Sequence, residues 1–393
     1  MEFSRMLSYY MGLGVLFFSG FFLFFFDAEN PSATYSIISA QFYFVSGVLI
    51  FLYRKEAVKY IVHSPYPLLI CLLSIASILW SFEPSQAIMR SIALTGTFCF
   101  ALCLILVFDW DELLKVLILP LIFAAIASIF VSILVPSIGV DDGSNVAEHA
   151  GLWHGTFGFK NRLGRVMGLF AVILVAQNVL LRNYRNSMLA IVLFVLLMTG
   201  SSTPILAVSF IVLLKLYFAI SHRITTHIKI IIAILSIYCL ALVPIAIEFV
   251  IIDLMGKDLS GSGRVDMWVD ILLSIDSPIL GYGFGGGFWG EFGYANGLID
   301  PRYILLGHAH NGFVDTLIEL GIFGVFFYFM LLLKCLIDSL RNYRTQGEYF
   351  LLPLFLSVFF IIYSVTGSAY IKQNNILFIL ACLAAFLPYK KVK

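Results

Sequence analysis

Charged residues are scarce in this sequence. Only 12% of its 393 residues are Asp, Glu, Lys or Arg, and 61% are hydrophobic, whereas soluble domains carry roughly a quarter charged residues. The mean hydropathy is +0.99. This balance excludes a soluble globular protein and predicts an all-α polytopic membrane protein. No basic tract or aromatic RNA-binding pattern is present, so we expect no nucleic-acid partner.

Cysteines outside the apolar segments are also lacking. All six lie inside apolar runs, at Cys71, Cys99, Cys103, Cys239, Cys335 and Cys382. We therefore expect neither a disulfide nor a zinc site. The acidic residues Asp141, Asp142 and Glu148 do not have the clustered spacing of a cation site, so no metal or other cofactor is expected. The first apolar run has no small-residue cleavage site and is interpreted as a retained span.

Apolar segments long enough to cross a membrane recur along the whole chain. A transmembrane helix needs about 20 apolar residues, and fewer where it is broken or shielded. On this basis we predict about 12 transmembrane helices, at Met6–Phe26, Ala33–Tyr53, Leu68–Phe82, Met89–Phe108, Leu113–Val135, Asn161–Leu181, Met188–Thr199, Pro204–Ile220, Ile230–Ile252, Asn311–Leu333, Phe350–Gly367 and Asn374–Leu387.

The basic residues between these segments predict their orientation. Cytoplasmic loops are enriched in Lys and Arg, and most basic loops here fall on one side if both termini are cytoplasmic. The acidic connection Asp109–Glu112 fits this arrangement least well. The chain is then divided into N-terminal helices (1–252, with an outer segment at 136–160), an extracytoplasmic loop (253–310) and C-terminal helices (311–393). The loop is rich in aromatic and apolar residues, so we expect it to be folded.

Two histidines lie where the large loop enters a predicted span. The stretch Gly307–Gly324 reads GHAHNGFVDTLIELGIFG. A helical stripe from His310 passes near Gly321 and Gly324, which would let another helix approach closely below the histidine. One interpretation is a structural histidine at the membrane interface. The other is a catalytic histidine.

The outer segments contain cations that the orientation rule disfavours: Lys160, Arg162, Arg165, Arg264 and Arg302. Arginine binds phosphate oxygens through paired hydrogen bonds, so these residues indicate an anionic ligand. The alternative is ordinary snorkelling to lipid phosphates. Ser260 or Ser262 is suited to cap a helix that begins near Arg264, where the helix N-terminus favours an anion.

A glycine-rich segment, Gly281-x-Gly283-x-x-Gly286, formally matches a dinucleotide-binding fingerprint. We reject that reading because no strand–turn–helix unit surrounds it. The expected use of these glycines is close backbone approach to a ligand or to a helix.

These motifs resemble the O-antigen ligase and O-antigen polymerase superfamily, which includes the Wzy-type and ExoQ-like polymerases. His310-Asn311, followed after nine residues by Gly321-x-x-Gly324, is similar to its signature. So are Gly263-Arg264 with Trp268 four positions on, and the Pro-x-x-Gly-x-Gly turn at 278–283.

A second motif resembles the exopolysaccharide-polymerase branch. Lys160-Asn161-x-Leu-Gly164 matches it, but Phe159 stands where those relatives carry a histidine. Many relatives also have a cation in the turn where this chain has Ser202. One contact to a diphosphate is therefore missing or supplied from elsewhere.

The resemblance implies a metal-independent glycosyltransferase with a GT-C-like fold in the bacterial inner (cytoplasmic) membrane. Such enzymes transfer a glycan from undecaprenyl diphosphate to a sugar hydroxyl at the outer leaflet, alongside assembly proteins such as a flippase and a chain-length regulator. It implies His310, or alternatively His308, as the base. The substrate-binding residues would be Arg264, with Lys160, Arg162, Arg165, Arg302, Asn161 and Asn311.

Four functions are compatible with the pattern. We favour a polysaccharide polymerase, which extends a lipid-linked repeat unit. An O-antigen ligase, which transfers the glycan to the lipid A core of lipopolysaccharide, is the main alternative. Transporters usually carry ionisable residues at the middle of the membrane. A transporter is disfavoured here because the spans are nearly free of charge, with Lys215 and Glu248 as the main exceptions. A serine hydrolase using Ser201 or Ser202 would need a histidine within hydrogen-bond reach.

Overall fold

The computed structural model describes residues 2–23, 33–144, 149–177, 182–220, 264–289, 293–304, 307–367 and 371–391. Within these ranges the helices are joined by turns and loops, and the β structure consists of one isolated antiparallel bridge between Val140 and Trp153. The helices are α1 (Glu2–Phe18), α2 (Ala33–Leu52), α3 (Arg54–His63), α4 (Tyr66–Ala76), α5 (Pro84–Val107), α6 (Trp110–Leu134), α7 (Pro136–Gly139), α8 (Lys160–Ala176), α9 (Arg182–Met198), α10 (Ser202–Ile220), α11 (Arg264–Ser274), α12 (Pro301–Ile304), α13 (Gly312–Gln346), α14 (Leu351–Thr366) and α15 (Ile376–Phe386).

Six helices in the described part of the chain are long and apolar enough to cross a membrane, as expected for a membrane protein. They are α2, α5, α6, α10, α13 and α14 with its preceding turn. The predicted all-helical class is confirmed, but the predicted twelve spans are not. Helices α1 and α8 have 17 residues each, about 26 Å at 1.5 Å per residue, which is less than the bilayer core of about 30 Å. The predicted span Ile230–Ile252 lies outside the described residues.

The predicted span Leu68–Phe82 corresponds to a shorter helical segment, which α3 meets at nearly a right angle. Helix α3 and the segment Tyr66–Leu79 meet at 91°. The junction contains Pro65 and Pro67, and proline both lacks a backbone donor and disfavours helical geometry in the preceding residue. A hydropathy profile does not register this bend.

The core of the bundle is formed around α15. All of its residues are buried, and it packs against α5, α13 and α14. A helix that is apolar on every side is buried in protein or in lipid, and here other helices surround it. Large apolar side chains on the outer helices remain exposed, such as Phe44 and Phe51 on α2 and Phe123 on α6. This is the pattern of a surface that faces lipid.

A lysine inside the apolar helix α10 is explained by the packing. Lys215 Nζ donates to the carbonyl oxygens of Val175 and Ala176, at 2.9 and 3.4 Å. These carbonyls belong to the C-terminal end of α8, whose last carbonyls have no partner within the helix. Lys215 therefore caps a neighbouring helix, and it does so where a cation favours the helix dipole.

The two ends of the bundle differ in what they contain. At one end the last turn of α5, the start of α6 and the C-terminal residues meet: Lys390 Nζ donates to Ile105 O at 2.7 Å, and Trp110 Nε1 donates to Lys390 O at 3.5 Å. We call this the closed end. At the opposite end of α5 and α13 lie Arg90 and His310, and we call this the site end.

The described part of 253–310 forms a compact layer at the site end. Helix α11 and the turns after it enclose a small apolar cluster, separate from the main core, that includes Met267, Ile271, Tyr282 and Phe288. Ala309 belongs to the same cluster. The histidine turn is thus packed against this layer as well as against α13.

Candidate functional site

The site is built on a break in helix α13. Gly321 has non-helical backbone angles, with φ 65° and ψ −165°. The segment that begins at Pro278 enters the break. Ile322 N donates to Pro278 O at 2.9 Å, and Tyr282 N donates to Ile318 O at 2.8 Å. The inserted turn thus satisfies backbone groups that the break would otherwise leave without partners.

Glycine is required on both sides of this contact. A Cβ at Gly321 would overlap the Ile279 carbonyl, and a Cβ at Gly281 would lie 2.7 Å from Gly321 N. Gly283 N also donates to Glu319 O at 3.1 Å. The glycine-rich segment therefore approaches a helix, one of the two expected uses. The expectation that Gly321 admits another helix is corrected: the Pro278–Gly283 turn fills that space, because the chain there is not helical.

The two histidines lie on a tight turn that is held by its middle residue. Ala309 is fully buried. Its N–H donates to Asp315 Oδ1 at 2.7 Å, and its carbonyl oxygen accepts from Trp268 Nε1 at 2.7 Å. The rings of His308 and His310 contact each other edge to face, with centroids 4.0 Å apart. His310 has φ 53°, a left-handed conformation that is uncommon for a residue other than glycine.

Asn311, which follows the turn, caps α13. Its Oδ1 accepts from the N–H groups of Phe313 and Val314 at 3.0 and 3.2 Å, and its Nδ2 donates to Val365 O at 3.3 Å. An asparagine at this position satisfies N–H groups that have no partner inside the helix. The side chain is occupied by these structural bonds, and its role in substrate binding stays a prediction.

A cleft opens beside the histidine turn. One wall is formed by the turn and the first two turns of α13, and the other by the connection between α14 and α15. Its lining residues are Gly307, His308, Gly312, Asp315, Thr316, Glu319, Leu320, Ile371 and Lys372. Apart from the histidine, three ionisable side chains therefore line it: Asp315, Glu319 and Lys372.

Two further cations complete this charged cluster. Arg90, near the start of α5, and Arg165, in the first turns of α8, are close enough to interact electrostatically with Lys372. Arg90 fits there because Gly285 has no side chain; a Cβ on Gly285 would overlap Arg90 Cδ. Among the described residues the cluster holds three cations and two carboxylates, which leaves an excess of positive charge at the cleft.

This surrounding keeps the imidazole of His308 neutral. Burial is the largest cause, and the neighbouring His310, Lys372 and Arg165 add to it, so that the pKa of His308 is lowered from 6.5 to about 3. Burial also lowers the pKa of Lys372, while the carboxylates of Asp315 and Glu319 oppose that shift. His308 Nδ1 and Arg165 Nε are buried without a hydrogen-bond partner among the described residues.

Three other sequence-derived candidates lie at the start of α8, in the turn before Arg165. Asn161 Oδ1 accepts from Ser201 Oγ at 3.1 Å, and the guanidinium of Arg162 lies 4.7 Å from the centre of the exposed Phe159 ring. Lys160 is half-buried at the same helix start. The Ser201 hydroxyl therefore donates to an amide, whereas a catalytic serine needs a base such as histidine.

The side chains of two predicted arginines lie outside what the structure describes. Arg264 is the first residue of α11 and Arg302 lies in α12, but their side chains, like Ser260 and Ser262, are not among the described parts. Their roles remain predictions.

Sequence reasoning missed four residues of the cluster: Arg90, Asp315, Glu319 and Lys372. The i, i+4 spacing of Asp315 and Glu319 after the Asn311 cap was a usable signal, because it puts two carboxylates on one helix face inside an apolar segment. Arg90 and Lys372 had no local signal.

The fold and the cluster define a class: an all-helical membrane protein with a histidine turn and an anion-attracting cleft at one end. Residues 187–329 match the family model Wzy_C, described as O-antigen ligase. This match supports the predicted O-antigen ligase and polymerase superfamily, and members of the Wzy_C family are glycosyltransferase-like enzymes. The matched segment includes His308, His310, Asp315 and Glu319, but not Arg90, Arg165 or Lys372. No curated protein matches the chain.

Proposed function

We propose that this protein is a polysaccharide polymerase that transfers a growing glycan from undecaprenyl diphosphate to a lipid-linked repeat unit. The observation that carries the proposal is the histidine turn beside a cleft with an excess of cations. This is the combination that the reaction requires, since a lipid diphosphate leaves as an anion and the attacking hydroxyl must lose a proton. Such a transfer needs no metal.

In the proposed reaction the acceptor hydroxyl oxygen forms a bond to the anomeric carbon of the donor. The bond from that carbon to the diphosphate oxygen breaks, and the diphosphate keeps the electron pair. The hydroxyl proton passes to His310. We prefer His310 to His308 because a base works best with a pKa near the working pH, and the pKa of His308 is lowered to about 3.

The leaving diphosphate is stabilised by the cluster cations. Lys372 and Arg165 are the described candidates, and Arg264 and Arg302 are proposed to join them from α11 and α12. Lys372 offers a replacement for the cation that relatives carry where this chain has Ser202, since it lines the cleft with His308. Removing one of these cations should weaken donor binding more than it lowers the rate of transfer from the bound donor.

A polymerase must hold two lipid diphosphates, and the chain offers two cationic patches. One is the cluster of Arg90, Arg165 and Lys372. The other is at the start of α8, where Lys160 and Arg162 lie with Asn161. A ligase needs only one such patch, because its acceptor is lipid A core.

The transporter alternative loses support, because Lys215 is engaged in capping α8.

We place this activity at the outer leaflet of the bacterial inner membrane, with both termini cytoplasmic and a flippase and chain-length regulator as partners. Deletion of the gene tests the proposal. A polymerase mutant should accumulate single repeat units on lipid carrier or on core. Long chains stranded on undecaprenyl diphosphate would overturn the polymerase in favour of the ligase, and unchanged glycans would overturn both.

A further inference from the structure

We propose that Asp315 and Trp268 are positioning residues that together hold the His308–His310 turn in its working geometry. The inference rests on the proposed function, because it assigns these residues to the same reaction. Neither residue is assigned a contact to substrate. Each acts through the backbone of Ala309.

The geometry is specific. Ala309 has two backbone polar groups, and each has a side-chain partner at 2.7 Å: Asp315 Oδ1 for its N–H, and Trp268 Nε1–H for its carbonyl oxygen. Ala309 is fully buried, so water does not replace either partner. Loss of either bond would leave a buried polar group unsatisfied, and the turn would shift to recover a partner.

The turn needs an external hold because its own conformation is unfavourable. The next residue, His310, is in the left-handed region with φ 53°, which L-residues adopt only when their surroundings impose it. The His308 ring is in contact with the His310 ring. A relaxation of the backbone at 308–310 therefore moves both imidazoles at once.

The two partners come from different parts of the chain. Asp315 lies in the first turn of α13 and is fixed relative to the helix start by the Asn311 cap. Trp268 lies on α11, four residues after Arg264. Trp268 therefore links the helix that starts at the predicted diphosphate-binding arginine to the turn that carries the predicted base. This gives the aromatic residue of the Gly263-Arg264…Trp268 pattern a physical role.

The main competing role for Asp315 is that of a charge partner for Lys372, with which it interacts electrostatically. Asp315→Asn separates the two roles. The amide keeps an Oδ1 acceptor for Ala309 N–H but removes the negative charge, while Asp315→Ala removes both. For the tryptophan, Trp268→Phe keeps an aromatic ring and removes the indole donor.

The experiment uses purified full-length protein reconstituted in nanodiscs, with the undecaprenyl-diphosphate-linked repeat unit isolated from cells that lack the gene. A misplacement of about 1 Å in a reacting group lowers rates by about 100-fold. We therefore expect Asp315→Ala to lower kcat about 100-fold with little change in the donor KM, Asp315→Asn to recover most of that loss, and Trp268→Phe to lower kcat about tenfold.

Two matched controls remove the same kinds of bond at the closed end. Asp109→Ala removes a carboxylate that accepts from Glu112 N at 3.1 Å, and Trp110→Phe removes an indole donor to Lys390 O. Both should keep kcat within about twofold of the wild type, because distant sites act independently. The melting temperatures of these two variants measure how much thermal stability is lost when a hydrogen bond of this kind is removed away from the site.

Equal losses in Asp315→Asn and Asp315→Ala would overturn the positioning role and assign Asp315 to charge. A normal kcat in Asp315→Ala or Trp268→Phe, with His310→Ala inactive, would overturn the inference but leave the proposed function standing. If His310→Ala turns over normally, His310 is not the base and His308 takes its place as the candidate, while the gene deletion tests the proposed function separately.

Discussion

The closed end and the site end of the bundle use their polar residues in opposite ways. At the closed end two lysines have short structural bonds: Lys334 Nζ to Asp338 Oδ2 at 3.0 Å, and Lys390 Nζ to Ile105 O at 2.7 Å. Asp338 also accepts from the Tyr389 hydroxyl. At the site end the charges surround a cleft, and buried His308 Nδ1 and Arg165 Nε have no hydrogen-bond partner among the described residues.

This difference separates structural polar groups from functional ones. Buried polar atoms in native proteins are nearly always hydrogen-bonded, so each exception needs an explanation; beside a charged cleft, a bound ligand is such an explanation. At the closed end substitutions should cost stability. At the site end, substitutions of the charged side chains around the cleft should cost transfer while the fold is kept. The predictions that follow test this division, from the largest expected effect to the smallest.

The largest effect is expected at the helix break. Gly321→Ala should abolish accumulation of folded protein, because the added Cβ overlaps the Ile279 carbonyl and φ is 65°, which strains any L-residue. Gly47→Ala on α2 is the control, since nothing lies within 4 Å of its added Cβ. Size-exclusion profiles of the two detergent-solubilised proteins measure the effect. A monodisperse Gly321→Ala protein would contradict the close backbone approach.

The two ends should also lie on opposite sides of the membrane. Asn296 near the site end and Thr345 near the closed end are both exposed. We expect a membrane-impermeant maleimide to modify Asn296→Cys in intact spheroplasts and to spare Thr345→Cys until the membrane is permeabilised. The reverse pattern would put the site on the cytoplasmic face, where the proposed donor is not presented, and would exclude the mechanism.

Lys372 and Lys334 form a matched pair of lysines at the two ends. Lys372→Ala should raise the donor KM by roughly tenfold to 30-fold, a binding loss of about 1.4–2 kcal/mol, because it leaves Asp315 and Glu319 facing the diphosphate. Lys334→Ala should leave KM unchanged and lower the melting temperature slightly, because an ion pair near the surface, such as this partly buried one, contributes about 0–1 kcal/mol. Steady-state kinetics on the reconstituted proteins give both values. Equal KM effects would remove the distinction between the ends.

The smallest effect is a pH dependence of stability. The pKa of His308 is about 3 in the folded protein and 6.5 in its usual state, so the unfolded chain binds more protons between these values. The stability that neutral His308 provides is fully present above about pH 6.5 and is lost as the pH falls toward 3. The charged and titratable groups beside His308 are His310, Lys372 and Arg165.

His308→Gln should therefore lose less stability than the wild type on acidification. Between pH 7.5 and 5.5 we expect its melting temperature to fall about 1–2 °C less, as measured by thermal unfolding in detergent. His63→Gln, at an exposed position on α3, should follow the wild-type curve. Parallel curves for all three proteins would show that His308 is not held neutral by its surroundings.

The sequence was sufficient for the features that depend on local pattern. Apolar runs predicted the helices, Asn311 and the histidines marked the start of α13, and glycines marked a close approach. The predicted count of twelve spans is not confirmed in the described part of the chain, because hydropathy does not register where a helix breaks or ends. Two prolines bend the α3–α4 segment through 91°, and α1 and α8 end after 17 residues.

The charged cluster could not be derived in the same way. Arg90 and Lys372 are separated from His308 by more than 200 and by more than 60 positions in the sequence, and only the packing of α5 and the α14–α15 connection brings them together. The hydrogen bonds to Ala309 also depend on tertiary packing, because one of the two partners, Trp268, is on α11. Spacing predicts which residues share a helix face, but it does not predict which helices meet.

The central claim is that His310 accepts the proton of the acceptor hydroxyl while the site-end cations hold the donor. The most direct measurement is single-turnover transfer by His310→Ala in nanodiscs, together with donor binding by the same protein. The account predicts donor affinity within about twofold of the wild type and a transfer rate at least 100-fold lower, since general base catalysis contributes about 10²–10⁴. Near-normal transfer, or a loss that lies entirely in donor binding, would contradict it.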